Sequence, residues 1–445
     1  MKIVIAGAGA VGFHLATLLS NEKRDITLID SNKDVLDYAS THLDVMTIHG
    51  DACSVEILKK AESGKAKLFL AVTRSEKANL IAAILAKNEG AKKTIARVSS
   101  MEYLEEDKQS LFDSLGIDHL ISPNSLAANE IKRLIEVGGV TDNYEFENGE
   151  ISLFGVKMGD DSRCVNRSLE EISKEFSDDI FRIIAIHRGN GTLIPRGDTI
   201  IRRGDQLYFL SSTTNRDDIL DFIGTKKRKA KKIMIIGGSE LGLLTAKLLE
   251  EKYDIIIIEN DGEKCDQLTM ELNNSLVING DASNFDLLKE EGLAEMDVIL
   301  TLLPNSETNI LISLMAEKLG AFRTIALVDN IEYIHISQNI GIDTLINKKL
   351  IAANNIFRFI RKGQIEAICT FYGVDAEIIE FAISHSGRIT KHKLKDLHFP
   401  KNAMIGAIFR RGEVIIPTGE IILEVGDKVI VFTMPEALSK VEKFF

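Results

Sequence analysis

No stretch of 18 apolar residues occurs in this 445-residue chain, so the sequence offers no helix able to span a bilayer. Basic charge is scarce too. The 54 Lys and Arg are outnumbered by 66 Asp and Glu, for a net charge of −12, which argues against nucleic acid as the main partner. Only four cysteines are present, Cys53, Cys164, Cys265 and Cys369, far apart and without a C-x-x-C pair; they read as free thiols of a reducing cytoplasm. None of the nine histidines has a Cys or carboxylate partner at metal spacing, so each is expected to be a surface or capping residue, and no metal site is expected. No G-x-x-x-x-G-K-[ST] occurs, which speaks against a P-loop ATPase, and no Tyr is followed four residues later by Lys, so the short-chain dehydrogenase pair is missing.

What is there begins at once. Lys2 to Ala6 is a short apolar run of the kind that makes a buried parallel strand, and the reading expects no cleaved signal peptide ahead of it. Gly7, Gly9 and Gly12 follow at G-x-G-x-x-G spacing, and Val11, Leu15, Leu18 and Leu19 then line one face of a helix. In a dinucleotide fold the first glycine makes the tight turn, the second admits a pyrophosphate, and the third lets the helix pack on the strand. The helix N-terminus would face the phosphates. A second apolar run, Ile26 to Ile29, ends in Asp30, placed to accept bonds from ribose hydroxyls and to repel a 2′-phosphate, which favours NAD over NADP. The plain alternative is a glycine-rich turn beside an unrelated acid.

Further strands are expected at Val45–Ile48, Leu68–Val72, Thr94–Val98 and His119–Ile121, alternating with helices, as in a doubly wound parallel sheet. The whole order then returns. Gly237-Gly238-Ser239-Glu240-Leu241-Gly242 repeats the glycine turn (237 − 7 = 230), Glu259 repeats the acid, Gly280-Asp281-Ala282 repeats Gly50-Asp51-Ala52, and Asn309 repeats Asn79. The stretches after each copy match as well: Ala185-Ile186 with Ala407-Ile408 (407 − 185 = 222), and Gly204-Asp205 with Gly426-Asp427. The chain reads as a duplication. The fold class is α/β, with two doubly wound Rossmann-like domains at 1–138 and 231–363, each followed by a small α+β lobe at 145–225 and 375–445. Each small lobe is expected to end on a Gly-Asp turn and a strand. Gly138-Gly139 and Gly363 read as hinges between large and small lobes. The basic run 226–232 joins the halves, either as a solvated linker or as an attraction to anionic lipid.

This layout resembles the RCK family (regulators of potassium conductance, also called KTN domains), and the resemblance covers essentially the whole chain. It implies a cytosolic regulatory subunit, peripheral on the cytoplasmic face of the cell membrane and not an enzyme. Such chains assemble as homo-oligomers, typically a tetrameric ring, beneath an integral membrane potassium-translocating subunit (TrkH/TrkG-like). They bind NAD(H), and ATP or ADP, in their large lobes. By the same resemblance Gly7, Ala8, Gly9, Ala10 and Val11 would lie over the phosphates, Asp30 on the ribose, and Asp51, Thr73 and Arg74 along the cleft. Arg97 would reach in from its strand, with Arg74 and Arg97 either neutralising phosphate or simply sitting at strand ends. The second copy departs from this pattern. Ser239 replaces a glycine, Leu327 stands in place of Arg97, and Leu303-Pro304 in place of Thr73-Arg74. Its candidate residues Gly237, Gly238, Ser239, Glu240, Leu241 and Glu259 are expected to bind nucleotide weakly, differently or not at all. The competing class is a soluble NAD-dependent oxidoreductase, although the small lobes look too small for a substrate domain.

Overall fold

The computed structural model describes residues 1–20, 24–159, 162–175, 180–189, 191–225, 230–330, 333–334, 342, 344–360, 365–370 and 376–445. The basic residues 226–229 and the expected hinge at Gly363 lie outside these.

The first large lobe runs β1 (Lys2–Ala6), α1 (Ala10–Ser20), β2 (Asp25–Asp30), α2 (Lys33–His42), β3 (Met46–His49), α3 (Val55–Lys60), β4 (Leu68–Ala71), α4 (Glu76–Glu89), β5 (Thr94–Arg97), α5 (Glu106–Ser114), β6 (His119–Ile121) and α6 (Pro123–Val137). Its six strands are parallel in the order β3-β2-β1-β4-β5-β6. Ile3, Val4, Ile5 and Ala6 are all fully buried, as a central strand covered on both faces requires. Helix α4 shows how the local signals work: Ser75 caps it by accepting from the Ala78 amide, and Gly90 ends it at φ +116°.

The first small lobe follows: β7 (Asp142–Phe146), β8 (Ile151–Lys157), α7 (Leu169–Glu175), β9 (Phe181–Arg188), β10 (Gly191–Leu193), β11 (Gln206–Ser212) and α8 (Arg216–Ile223). The second large lobe is β12 (Lys232–Ile236), α9 (Glu240–Leu249), β13 (Asp254–Glu259), α10 (Gly262–Glu271), β14 (Ser275–Asn279), α11 (Phe285–Glu290), β15 (Val298–Thr301), α12 (Ser306–Lys318), β16 (Arg323–Leu327), β17 (Thr344–Ile346) and α13 (Lys348–Ile360). It repeats the parallel order, β14-β13-β12-β15-β16-β17. The second small lobe is β18 (Ile365–Thr370), β19 (Glu377–Ala382), β20 (Ala403–Arg410), β21 (Glu413–Ile415), β22 (Lys428–Thr433) and α14 (Pro435–Val441).

The small sheets are antiparallel, ordered β10-β9-β11-β8-β7 and β18-β19-β22-β20-β21. They differ from expectation at both ends. Each begins earlier than its lobe was placed, at Asp142 and at Ile365, and each closes on a helix rather than on a strand. The repeated Gly-Asp turn has a clear cause. Asp205 is buried and takes a bidentate pair from Arg188 Nε and Nη2 at 2.8 and 2.7 Å; Asp427 takes the same pair from Arg410 at 2.7 and 2.7 Å. The two small lobes share one core, in which Phe146, Leu153, Ile184, Tyr208 and Leu210 pack with Ala407, Ile430 and Phe432.

The chain forms two compact units that cut across the duplication: residues 1–128 with 347–356, and 129–346 with 357–445. The first turns of α13, capped by Asn347 through the Lys349 and Leu350 amides, therefore complete the first large lobe. The second half of α6 in turn belongs with the second large lobe. There the Arg323 guanidinium donates to the Leu134 carbonyl at 2.6 Å, and Lys252 pairs with Glu136 at 3.0 Å. The expectation that all histidines are surface or capping residues fails twice. His187 is buried in β9, and His14 is pulled down to about 4 by burial and by Lys349. His42 does act as a cap, bonding the Tyr38 carbonyl at 2.8 Å.

Among the described residues no helix is long and apolar enough to cross a membrane, and no group of three or more His, Cys, Asp or Glu is placed to hold a metal ion.

Candidate functional site

The carboxyl ends of β1 to β5 bring the expected residues of the first lobe to one edge of the sheet, where doubly wound folds bind ligands. The turn after β1 is held by the Gly7 amide, which donates to the Ile29 carbonyl at 2.8 Å. Gly7 has φ +106°, and a Cβ there would lie 2.7 Å from the Thr73 nitrogen, so no other residue fits. A Cβ on Gly12 would lie 1.8 Å from the Gly7 carbonyl oxygen, which is the close helix-on-turn packing expected of the third glycine. Gly9 is different: nothing lies within 4 Å of its Cβ position. The space there is open, and α1 starts at the next residue with no acidic side chain in its first turn. The first amides of a helix have no intrahelical acceptor, so the turn from Ala8 through Ala10 and Val11 can present donors and a positive dipole end to phosphate.

Asp30 reaches back to this turn. One carboxylate oxygen accepts from the Ala8 amide at 2.7 Å and the other from the Asn32 amide at 2.9 Å. Two amides fix the rotamer of this half-buried side chain. A carboxylate offers about four lone-pair sites, so acceptor capacity remains for a ribose diol. Asp51 is exposed and makes a local turn, accepting from the Cys53 amide at 2.9 Å. The Cys53 thiol beside it is pushed up by burial and then by Asp51, which keeps it protonated and unreactive.

Sequence reasoning noted Asn79 only as a repeated residue and missed its task. Fully buried, it accepts from the Thr73 amide at 2.8 Å and from the Thr73 hydroxyl at 2.7 Å. Its own amide donates to the Thr73 carbonyl at 3.1 Å and to the Arg97 carbonyl at 2.9 Å. One side chain thereby sets both the β4–α4 loop and the end of β5. Arg74 projects from that loop into solvent, and Arg97 is half-buried at its strand end. The signal was available: an Asn three residues inside a helix is a poor helix former and calls for a polar partner.

The second lobe keeps the frame and fills the space. Gly237 has φ +111°, Gly242 would put a Cβ 2.1 Å from the Gly237 oxygen, and Asn309 clasps Leu303 and Leu327 as Asn79 clasps Thr73 and Arg97. However, Glu259 is buried and accepts from three amides, Gly238 at 2.7 Å, Asn260 at 2.9 Å and Asp261 at 3.0 Å. A Cβ on Gly238 would meet Leu268 at 2.5 Å. Ser239 caps α9 itself, accepting from the Gly242 amide at 3.5 Å, and Glu240 puts a negative charge in the first turn of that helix. Leu241 is buried. A helix end that is already capped and acidic is a poor seat for phosphate.

Comparison with known proteins agrees with this duplicated layout. The TrkA-N domain matches residues 3–123 and 233–348, and the TrkA-C domain matches residues 153–224 and 378–445. The chain is 33% identical to the Trk system potassium uptake protein TrkA homolog 1 of Methanosarcina mazei, with all of both chains covered. It is 33% identical to the Trk system potassium uptake protein TrkA of Haemophilus influenzae, over all of this chain and 98% of that one. Among solved structures it is similar in fold to the GsuK channel bound to NAD, with a TM-score of 0.61 and 16% identity over all of this chain and 78% of that one. With both domain types present twice in the same order and relatives matched end to end, the chain belongs to the TrkA family.

Proposed function

We propose that this chain is the nucleotide-sensing regulatory subunit of a potassium uptake system. It binds NAD(H), or ATP and ADP, in its first large lobe and controls an integral membrane potassium-translocating subunit of the TrkH/TrkG kind. The observation that carries the reading is the open glycine turn, with free space at Gly9 and Asp30 fixed against the Ala8 amide. The potassium-uptake names of the relatives support it, as does the NAD bound to the GsuK channel, a neighbour in fold. In this reading Gly7, Ala8, Gly9, Ala10, Val11 and Gly12 seat the phosphates and Asp30 takes the ribose. Asp51 and Thr73 line the cleft, and Arg74 and Arg97 meet phosphate charge. Gly237, Gly238, Ser239, Glu240, Leu241 and Glu259 keep the second lobe folded and bind nucleotide weakly or not at all. The large lobes take the proposed bounds 1–138 and 231–363, and the small lobes, first placed at 145–225 and 375–445, start with β7 at 142 and β18 at 365. The chain works as a homotetrameric ring, peripheral on the cytoplasmic face of the membrane, and turns over no substrate.

Nucleotide acts by population shift. A ligand bridging the glycine turn and Asp30 stabilises one ring shape, and a ligand filling the cleft differently stabilises another. Moving an assembly from mostly closed to mostly open takes about 5.5 kcal/mol of differential binding. The coupling is reciprocal, so the membrane partner changes nucleotide affinity by the factor by which nucleotide biases the partner. The test is titration calorimetry of the full chain with NADH and with ATP, alone and with the membrane subunit, alongside potassium flux in vesicles. Binding that depends on the partner and changes flux is expected. Steady consumption of NADH, or no affinity for any adenine nucleotide, would overturn the reading.

A further inference from the structure

The shared core of the small lobes is asymmetric at one point. Both small sheets carry a bulge in equivalent strands. In β9 the extra residue is Ile184, skipped between the pairings Tyr208 with Ala185 and Phe209 with Ile183. In β20 it is Gly406, skipped between the pairings Ile405 with Val431 and Ala407 with Ile430. The two positions match in the duplication (406 − 184 = 222), the same spacing as Ala185 and Ala407. They also meet. A Cβ built on Gly406 would lie 3.0 Å from Ile184 Cγ2 and 2.6 Å from Leu210 Cδ2. The branched side chain of the first lobe occupies the space that the second lobe leaves by having none.

We infer that the paired bulges make the contact between the small lobes heterotypic, each lobe shaped to receive the other and not a second copy of itself. A first lobe facing another first lobe would set Ile184 against Ile184 in a gap built for one isoleucine. A second lobe facing another second lobe would set glycine against glycine and leave a void. Overpacking and voids both cost stability in a core packed to crystal density. A second asymmetry has the same sense. Glu147 of the first lobe accepts from Lys428 of the second at 2.8 Å, beside the buried Glu380. The first-lobe counterpart of Lys428 is Gln206 (428 − 206 = 222), whose side chain is committed to Asp142, Thr141 and Tyr208 within its own lobe. A first lobe paired with itself would bring Glu147 to an amide in place of a cation. The duplication has thus produced a matched pair from what began as one module, and the partner that this surface fits is the other small lobe.

The test uses the full chain. Thermal unfolding is compared for the wild type, I184G, G406I and the double swap I184G/G406I. Each single change lowers the melting temperature, and the swap, which moves the isoleucine to the other side, recovers at least half of the summed loss. Losses that simply add would overturn the inference. Because G406I alone can fail to fold, a second measurement uses I184C under mild oxidation, with the wild type as control for the native cysteines. Heterotypic pairing places Gly406 opposite residue 184, so no new disulfide-linked dimer forms. A dimer specific to I184C would mean that first lobes meet each other, and would overturn the inference independently.

Discussion

The two large lobes share a strand order, a turn glycine at positive φ, a helix glycine pressed on that turn, and a buried asparagine that ties the fourth strand to the fifth. Among the described residues they part company above the turn and at the ends of the fourth and fifth strands, where Leu303-Pro304 and Leu327 stand for Thr73-Arg74 and Arg97. In the first lobe the position at Gly9 looks onto empty space; in the second that position carries the Ser239 side chain, which caps α9, while Leu268 and the buried Glu259 press on Gly238 beside it. Residues that hold the backbone and residues that would face a ligand are thus separable within a few positions. A duplicated domain keeps the former to stay folded and is free to change the latter.

This contrast can be broken. The harshest test is Gly12→Ala, whose new methyl would sit on the Gly7 carbonyl oxygen. We expect a loss of about 3 kcal/mol of stability together with nucleotide binding. Gly242→Ala should cost a similar amount and leave nucleotide affinity unchanged, as denaturant unfolding and calorimetry on the same samples would reveal. Next comes the acid. In the proposed site Asp30→Ala would remove two charge-assisted bonds to a ribose and should weaken adenosine ligands about 100-fold. Glu259→Ala should leave affinity within error and lower stability instead, because three amides lose their acceptor. A fall in affinity for both variants would mean that both lobes bind. Ser239→Ala should cost about 1 kcal/mol through the lost cap, read by thermal unfolding, with no change in nucleotide titration.

The gentlest effect carries the contrast into the small lobes. Asp142 is fully enclosed and pushed up to about 7, mainly by burial and also by Glu130; bonds from Thr141 and Gln206, and the Arg323 charge, oppose the rise. An acid raised in the folded state binds a proton that the unfolded chain has already lost. Stability contributed here is therefore full below about pH 4 and declines as pH climbs towards 7. Asp142→Asn should flatten that slope in melting temperatures taken from pH 4 to 8. The second small lobe has Ala367 in the matching register, opposite Glu380, so no aspartate stands at that position.

Most of the frame was legible. The short apolar runs from Lys2, Ile26, Val45, Leu68, Thr94 and His119 all became strands; the four central ones are apolar on both faces and so announce themselves, and the edge strands β3 and β6 are less buried. Strand β7 (Asp142–Phe146) was not legible, since its alternation is weak and an acid opens it. The glycine spacing marked the turn, while the task of Asn79 depended on carbonyls brought together only by folding. The exchange of α6 and α13 and the meeting of Ile184 with Gly406 were invisible for the same reason. Each is a contact between segments far apart in the chain, and no local pattern encodes it.

The exchange of helices also bears on how the protein is made. The lobe that opens the chain is finished by residues 347–356, which bury His14 beside Lys349. On the ribosome, this lobe therefore waits for its closing helix until most of the polypeptide has emerged. Splitting the gene at the seam between its halves would give two products that each lack a piece of themselves.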